Sequence, residues 1–206
     1  MWCDLSIQWK TAFEEAWRAF CTGNIPIGAA LFDENGELVL KDHNRANGSD
    51  TINRRIAHAE AGILRRLDTS EFDPKKMTLY TTMEPCPMCM GTASVSNIRH
   101  LRAAAHDPRC GMIHLSETEP YYIAKSLDYT FESGDNELVQ LTVQSYYELR
   151  CMESGSSSYM FDSFQEICPK ASKTAKLLYE EKVLDKYVKD GTAFGVIYDY
   201  ILSVKV

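Results

Sequence analysis

From residue 57 onwards, the chain alternates between segments patterned as helices and segments patterned as strands. Helical spacing of apolar residues covers 57–67, an apolar strand covers 77–82, a second helix begins near Cys86, and a second strand covers about 98–105. This alternation predicts an α/β fold in which helices cover the faces of a layered sheet.

The residues before this region predict a helix followed by a hairpin. Apolar residues recur at three- and four-residue steps over 5–21, as in an amphipathic helix. Apolar runs at 27–32 and 38–40 flank an Asn35-Gly36 step, which is a strong hairpin signal. The polar segment 41–56 predicts a loop.

The spacing of apolar residues indicates helices and strands less clearly beyond residue 106. We predict in turn a short helix at 120–127, a strand at 137–143, a helix at 145–152, a flexible linker at 154–158 and an exposed helix at 171–189. We therefore divide the chain into a main domain, residues 1–153, and a mostly helical C-terminal extension, residues 154–206, that packs on the core or on a partner. The aromatic stretch 194–200 caps a pocket, forms an oligomer interface or packs on the domain's own core.

Composition narrows the class of protein. The chain has 206 residues, of which 45% are hydrophobic and 25% are charged, and these values are typical of a globular protein. It contains no apolar run long enough for a transmembrane helix, and residues 1–4 do not resemble a signal peptide. Seven scattered cysteines predict reduced thiols and a cytoplasmic location. A net charge of -7 argues against a large nucleic-acid footprint.

Two short motifs contain side chains that are able to bind a metal ion or transfer a proton. His58-Ala59-Glu60 and Pro85-Cys86-Pro87-Met88-Cys89 each lie at a predicted helix start. One imidazole and two thiolates supply three zinc ligands, and a catalytic zinc site keeps its fourth position for water. Glu60 follows the histidine closely enough to face the same cavity, where a carboxylate is able to move protons.

Each motif alone has a less specific interpretation. A lone Cys-x-x-Cys pair also occurs as a redox pair or as half of a structural zinc site. A single histidine or glutamate is usually a packed or solvated residue. The two motifs together, in this order, favour a catalytic zinc centre, and this His-x-Glu…Pro-Cys-x-x-Cys pattern is typical of zinc deaminases.

The sequence resembles the cytidine deaminase superfamily, and within it the branch of tRNA adenosine deaminases and guanine deaminases. The resemblance covers roughly residues 5–150, and the matching stretches are 25–29, 44–45, 57–60 and 82–89. It implies a three-layer α-β-α sandwich around a mixed five-stranded sheet whose last two strands are parallel, with zinc held between two helix N-termini. The helix at 120–127 would then be the crossover between the parallel strands.

The resemblance also implies an activity and a set of site residues. We expect one Zn²⁺ per chain, bound by His58, Cys86 and Cys89 with water or hydroxide as the fourth ligand, and hydrolytic deamination with Glu60 as the proton-transfer residue. We expect Asn44 to hydrogen-bond the substrate and Ile27 to line the base pocket. The substrate contacts are completed by Ala59, Glu84 and Pro85.

The substrate stays open at this point. A small nucleobase or nucleoside is favoured by the acidic composition and by the extension beyond residue 150. Editing of tRNA from adenosine to inosine is the alternative, with Arg54, Arg55, Arg99 and Arg102 as a basic strip, and a non-catalytic zinc-stabilised binding module is a third. The loop 45–57 differs from many relatives near the expected substrate position. By resemblance, we expect a homodimer.

Overall fold

A five-stranded sheet lies at the centre of the computed structural model, which describes residues 1–48 and 53–206. The spatial strand order is β2-β1-β3-β4-β5. The strands are β1 (Gly28–Phe32), β2 (Leu38–His43), β3 (Thr78–Thr81), β4 (His100–Ala103) and β5 (Asp128–Phe131). The first two form the antiparallel hairpin predicted around Asn35-Gly36.

Helices cover both faces of this sheet. In the described residues they are α1 (Ile7–Cys21), α2 (Ala59–Arg66), α3 (Pro87–Val95), α4 (Leu115–Thr118), α5 (Pro120–Ile123), α6 (Asp135–Glu153), α7 (Tyr159–Ile167), α8 (Pro169–Glu180), α9 (Val183–Lys189) and α10 (Phe194–Ser203). No helix in the described ranges is both long enough and apolar enough to cross a membrane.

Strand β1 is buried along its whole length because it contributes side chains to two cores. Ala30 and Phe32 belong to an apolar cluster with α1, α6 and the C-terminal helices. Ala29 and Leu31 belong to a second cluster with α2 and α3. Successive side chains of a strand point to opposite faces, so the sheet lies between two helical layers. The predicted three-layer sandwich is confirmed.

Strands β3, β4 and β5 run parallel, and β1 pairs antiparallel with β3. Helix α3 connects β3 to β4, and the short helices α4 and α5 connect β4 to β5. The mixed sheet with its last two strands parallel, and a crossover helix beginning at Pro120, are as predicted. Because the carboxyl ends of parallel strands lie at one edge of the sheet, the loops after β3 and β4 meet there.

The predicted strand at 137–143 is wrong, because these residues lie inside α6. A strand-like alternation arises because α6 is buried on more than one side. Val139 and Val143 face the cluster around α1, whereas Leu141 faces a third cluster with Phe164 of α7. The fifth strand is β5, whose alternately exposed residues give a weak apolar signal.

The predicted single exposed helix at 171–189 is also wrong. Helix α8 is separated from α9 at Lys182, which adopts a left-handed conformation with φ 52°. The α8 residues Ala171, Ala175 and Leu178 are buried. Small side chains let α8 approach α6 closely. Because its buried face contains few large apolar residues, the sequence pattern does not indicate that this face is buried.

The aromatic C-terminal stretch packs on the protein's own core. The ring of Phe194 stacks on Phe13 of α1 with centroids 5.8 Å apart, and the Tyr198 ring meets Phe13 edge-on at 5.7 Å. The Tyr198 hydroxyl donates a hydrogen bond to Asn136 at 2.7 Å. Of the three alternatives for this stretch, the described contacts correspond to core packing.

Candidate active site

Two helix N-termini face each other at the carboxyl edge of the sheet. His58 is the N-cap of α2 and Cys86 is the N-cap of α3, both with extended backbone. Pro87 occupies the first turn of α3, where its missing N–H breaks no hydrogen bond. Cys89 follows one turn later on the same side of α3. The partial positive charge of a helix N-terminus favours thiolates at these positions.

The three predicted metal ligands form one cluster. His58 Nδ1 lies 3.4 Å from Cys86 Sγ and 3.5 Å from Cys89 Sγ. All three ligand atoms lie within 4.8 Å of one another. Nitrogen and sulfur ligands of a tetrahedral zinc are about 3.6 Å apart, given bonds of about 2.1 and 2.3 Å. The chemistry and spacing of this donor set therefore fit zinc.

Glu60 lies beside the ligand cluster in the first turn of α2. Its side chain is almost fully buried, and its Oε2 lies 3.4 Å from Cys89 Sγ. The Thr81 hydroxyl lies 3.3 Å from Glu60 Oε1. Burial raises the pKa of Glu60 above its ordinary value. A carboxyl group with a raised pKa is able to accept and return a proton near neutral pH.

The two thiols differ in their ionisation. A hydrogen bond from Cys89 lowers the pKa of Cys86 to about 4, against the effect of burial and with help from His58. The hydrogen bond with Cys86, together with burial, raises the pKa of Cys89. The hydrogen bond with Cys86 also raises the pKa of His58. Of the two thiols, Cys86 is therefore the one that ionises more readily.

A cavity of about 440 Å³ opens onto His58, Glu60 and Cys86. Its volume lies in the range typical of small-molecule sites. Ile27, Asn44 and Glu84, three of the five predicted substrate-contacting residues, line it. Ala59 and Pro85 are buried immediately beside lining residues but do not form part of the wall.

The carboxylate of Glu84 holds the loop that follows β4. It accepts hydrogen bonds from the backbone N–H groups of Asp107 at 3.2 Å and Ile113 at 3.1 Å. At Gly111 an added Cβ would lie 2.2 Å from Glu84 Oε2, so the loop needs glycine there. Glu84 therefore shapes the cavity rim through the 107–113 loop.

Sequence reasoning missed the far wall of the cavity. Helix α6 supplies Gln144, Tyr147, Glu148 and Cys151, and the segment after it supplies Ser156, Ser157, Met160 and Phe164. Gln144 and Glu148 lie one turn apart, but α6 contains other polar residues such as Gln140 and Arg150, so no local signal distinguishes the pair. The C-terminal extension thus contributes directly to the site.

The described part of the loop 45–57 contacts residues of two cavities. Residues 49–52 of this loop lie outside the described residues. Arg45, Asn53 and Ile56 line a separate cavity of about 930 Å³, which also touches His58. Asn47 of the same loop donates a hydrogen bond at 2.7 Å to the hydroxyl of Tyr147, which lines the 440 Å³ cavity.

Comparisons with known proteins agree with this geometry. A model of the cytidine and deoxycytidylate deaminase zinc-binding region matches residues 6–105. A tRNA-specific adenosine deaminase from Bacillus subtilis (strain 168) is 39% identical over 106 residues, which are 50% of this chain and 62% of that protein. A probable cytosine deaminase from Schizosaccharomyces pombe is 32% identical over 92 residues, 45% of this chain and 54% of that protein. The chain thus matches less than two thirds of the length of these relatives.

A similar solved structure comes from a study of tRNA:A34 deaminases, which perform A-to-I editing at the wobble position of transfer RNA. It superposes with a TM-score of 0.54 at 27% identity, covering 66% of this chain and 97% of that one. These three relatives are named as deaminases, and the substrates in their names differ. The match places a cytidine and deoxycytidylate deaminase zinc-binding region at residues 6–105 of this chain.

Proposed function

We propose that this protein is a zinc-dependent hydrolytic deaminase of a small nucleobase-type heterocycle and releases ammonia. The observation that carries this proposal is the cluster of His58, Cys86 and Cys89 beside the buried carboxyl group of Glu60, all within reach of one cavity. These three ligands would hold one Zn²⁺. When bound, the zinc acts as a Lewis acid that makes hydroxide available from water at neutral pH.

Glu60 performs the proton transfers in this proposal. It takes a proton from the attacking water and delivers it to the ring nitrogen next to the carbon that carries the amine. It then takes the remaining proton of the added hydroxyl group and passes it to the amine, so that the C–N bond breaks, ammonia leaves and the oxygen stays on the ring as a carbonyl. The carboxyl group of Glu60 is buried against Thr81 and Cys89, which keeps bulk water away from it. Asn44 and Ile27 position the ring, and the backbone near Ala59, Glu84 and Pro85 faces its edge.

The cavity wall supports a small substrate without phosphate. Its acidic residues include Glu60, Glu84, Asp107 and Glu148, and among the described residues no lysine or arginine lines it. A phosphate group needs cationic or N–H partners, and this wall would repel it. Four residues of the extension, Ser156, Ser157, Met160 and Phe164, also line this cavity and narrow the space for a substrate as large as a nucleic-acid loop.

Deamination of adenosine in tRNA is the alternative substrate class. The identity of 39% with the Bacillus subtilis tRNA-specific adenosine deaminase favours it. The predicted basic strip gives it little support, because neither Arg99 nor Arg102 lines the cavity. The guanidinium of Arg102 is paired with Asp128 at 2.7 Å. A purely structural zinc module is the third alternative, and it gives no reason to bury Glu60 beside the ligands.

Two further expectations belong to this proposal. We propose a homodimer and a cytoplasmic location. The location is supported by the seven cysteines, all of which are free thiols in the structure.

Substitution of Glu60 tests the proposed chemistry. Glu60→Ala should lower ammonia release by about 10²–10⁴-fold, the usual contribution of a general acid–base residue, and zinc content should stay near one ion per chain. Cys86→Ser should lose zinc as well as activity, whereas Cys21→Ser, which alters an exposed thiol, should change neither. The assay uses adenine, guanine, cytosine, adenosine and cytidine, with inosine formation in tRNA measured in parallel.

The outcomes separate the three alternatives. Ammonia release from a base or nucleoside supports the proposal, and inosine formed only in tRNA replaces it with the editing alternative. Turnover retained by Glu60→Ala would contradict the proton-transfer role. Zinc bound without any turnover would favour the structural module.

A further inference from the structure

Two buried amide side chains in the cavity wall each have one atom without a hydrogen-bond partner. These atoms are Asn44 Nδ2 and Gln144 Oε1, and neither finds a partner among the described residues. Asn44 is 1% exposed and Gln144 is 3% exposed. Folded proteins pair nearly all their buried polar atoms, so an unpaired atom in a cavity wall indicates a position where a ligand completes the pairing.

The orientation of each amide is fixed by its other hydrogen bond. The Ala46 backbone N–H donates to Asn44 Oδ1 at 2.8 Å, so the Asn44 amide nitrogen is the group left over. Gln144 Nε2 donates to Glu148 Oε1 at 2.8 Å. A carboxylate only accepts hydrogen bonds, so Glu148 turns the Gln144 oxygen away from itself.

The side chains that line the cavity therefore include one unpaired donor and one unpaired acceptor from different parts of the chain. Asn44 follows β2 and offers an N–H group, whereas Gln144 lies in the middle of α6 and offers a carbonyl oxygen. Both line the same cavity as Glu60. A nitrogen heterocycle with an unsubstituted N–H and a ring nitrogen or carbonyl supplies both complementary groups.

We propose that Gln144 is a substrate-specificity residue that accepts a hydrogen bond from an N–H group of a neutral heterocycle. Glu148 is its positioning residue, because the carboxylate selects which end of the Gln144 amide faces the cavity. This inference rests on the deaminase function proposed above, and it adds that the substrate must carry a free N–H as well as the amine that leaves.

A pair of matched substitutions tests the role of Gln144. Gln144→Met keeps the side chain's length and removes the acceptor. Thr174→Val is the control, since Thr174 Oγ1 in α8 is also buried and unpaired but does not line the cavity. Binding of adenine, guanine and cytosine is measured by calorimetry in the zinc-loaded Glu60→Ala background, so that turnover is not needed for the readout.

We expect Gln144→Met to weaken binding of the tightest-binding base by about 10-fold, the effect of losing a buried hydrogen bond. Thr174→Val should change the affinity for the same base by less than about twofold. In the chain with Glu60 intact, Gln144→Met should raise KM by a similar factor and leave kcat nearly unchanged, because the bond is made in the bound substrate and kept in the transition state. Zinc content should not change in any variant.

A double-mutant cycle tests the positioning role of Glu148. Glu148→Leu should weaken binding by several-fold, and adding it to Gln144→Met should cost little more, because both changes remove the same hydrogen bond to the base. Full additivity would show that Glu148 acts independently of Gln144 and would overturn its assignment.

The test of Gln144 and the test of the deaminase proposal are able to fail independently of each other. Three outcomes would each overturn the specificity role of Gln144. They are unchanged affinity for the base in Gln144→Met, an equal loss of affinity in Thr174→Val, and no binding of any of the three bases. Turnover that survives Glu60→Ala would reject the proposed mechanism, while the calorimetric comparison would still decide whether Gln144 contacts the base.

Discussion

Gly28 is the point where α1 lies directly on the sheet. A Cβ added at this position would be 2.2 Å from the Ala12 carbonyl oxygen and 2.3 Å from the Ala16 backbone nitrogen. Backbone atoms of a helix cannot move aside without shifting the whole element. We therefore expect Gly28→Ala to destabilise the fold by about 3 kcal/mol or more, at the upper end of the cost of overpacking, as measured by urea unfolding.

Gly91 in α3 provides the matched control. Its nearest neighbour for an added Cβ is the Tyr122 hydroxyl at 3.7 Å, an ordinary contact. Because alanine favours helix by up to about 1 kcal/mol over glycine, Gly91→Ala should keep or raise stability. Equal stability of the two variants would show that α1 does not approach β1 as closely as the backbone geometry indicates.

Residues close in sequence were the predictable part of the site. His58 and Glu60 lie two residues apart, and Cys86 and Cys89 lie three apart, so each pair occupies one helix start and local spacing is enough to identify it. Gln144 has no such local signal. It reaches the cavity only because α6 packs across the sheet. A single sequence does not determine which face of that helix lines the cavity.

At the scale of elements, α1 and β2 are joined by a buried carboxylate. Glu15 is 3% exposed and contacts Lys41 Nζ at 3.0 Å and His43 Nδ1 at 3.1 Å. Burial alone would raise the pKa of Glu15, but hydrogen bonds from His43 and Lys41 lower it from 4.5 to about 2. The ionised form is thus favoured by folding.

This shift predicts a pH-dependent stability. Because the folded pKa lies below the ordinary value, the contribution of Glu15 is complete above pH 4.5 and is lost as the pH falls toward 2. Glu15→Gln should therefore cost roughly 2–3 kcal/mol at pH 7, and the difference from the unsubstituted chain should shrink in urea titrations between pH 5 and pH 3.

Glu14, the exposed neighbour of Glu15, is the control for this experiment. Glu14→Gln should change stability by less than about 0.5 kcal/mol, as expected for a surface substitution. A Glu15→Gln cost that stays constant across the pH range would mean that the carboxylate is not the stabilising form.

Helices with one apolar face were easier to predict than helices buried on several sides. Helix α1 shows its apolar spacing openly because its other face meets solvent. Helix α6 lies between the sheet and α8, so apolar residues occur around it, and a window of seven residues then resembles a strand. Tertiary packing decides such segments. The burial of α8 was not predicted because small residues such as Ala171, Ser172 and Ala175 form much of its contact face.

At the scale of the whole molecule, the C-terminal helices complete a core that begins in α1. The cluster containing Trp9, Phe13 and Tyr146 also contains Leu178, Phe194 and other residues of α8–α10. Segment 156–164 supplies part of the cavity wall as well. The proposed division after residue 153 therefore separates two parts that share one apolar core and one cavity.

A chain ending at Glu153 should consequently fail to fold cooperatively. Removing the extension exposes the α1 face that packs on Phe194 and Tyr198, and each large side chain that loses its burial costs about 1.5–3 kcal/mol. Several such losses exceed the net stability of a typical domain, about 5–15 kcal/mol. We expect this chain to show no sigmoidal urea transition, whereas a chain lacking only the exposed residues Lys205 and Val206 should unfold like the full-length protein. A cooperative transition that keeps most of the full-length midpoint would instead establish residues 1–153 as an independent domain and reduce the extension to a cover over the site.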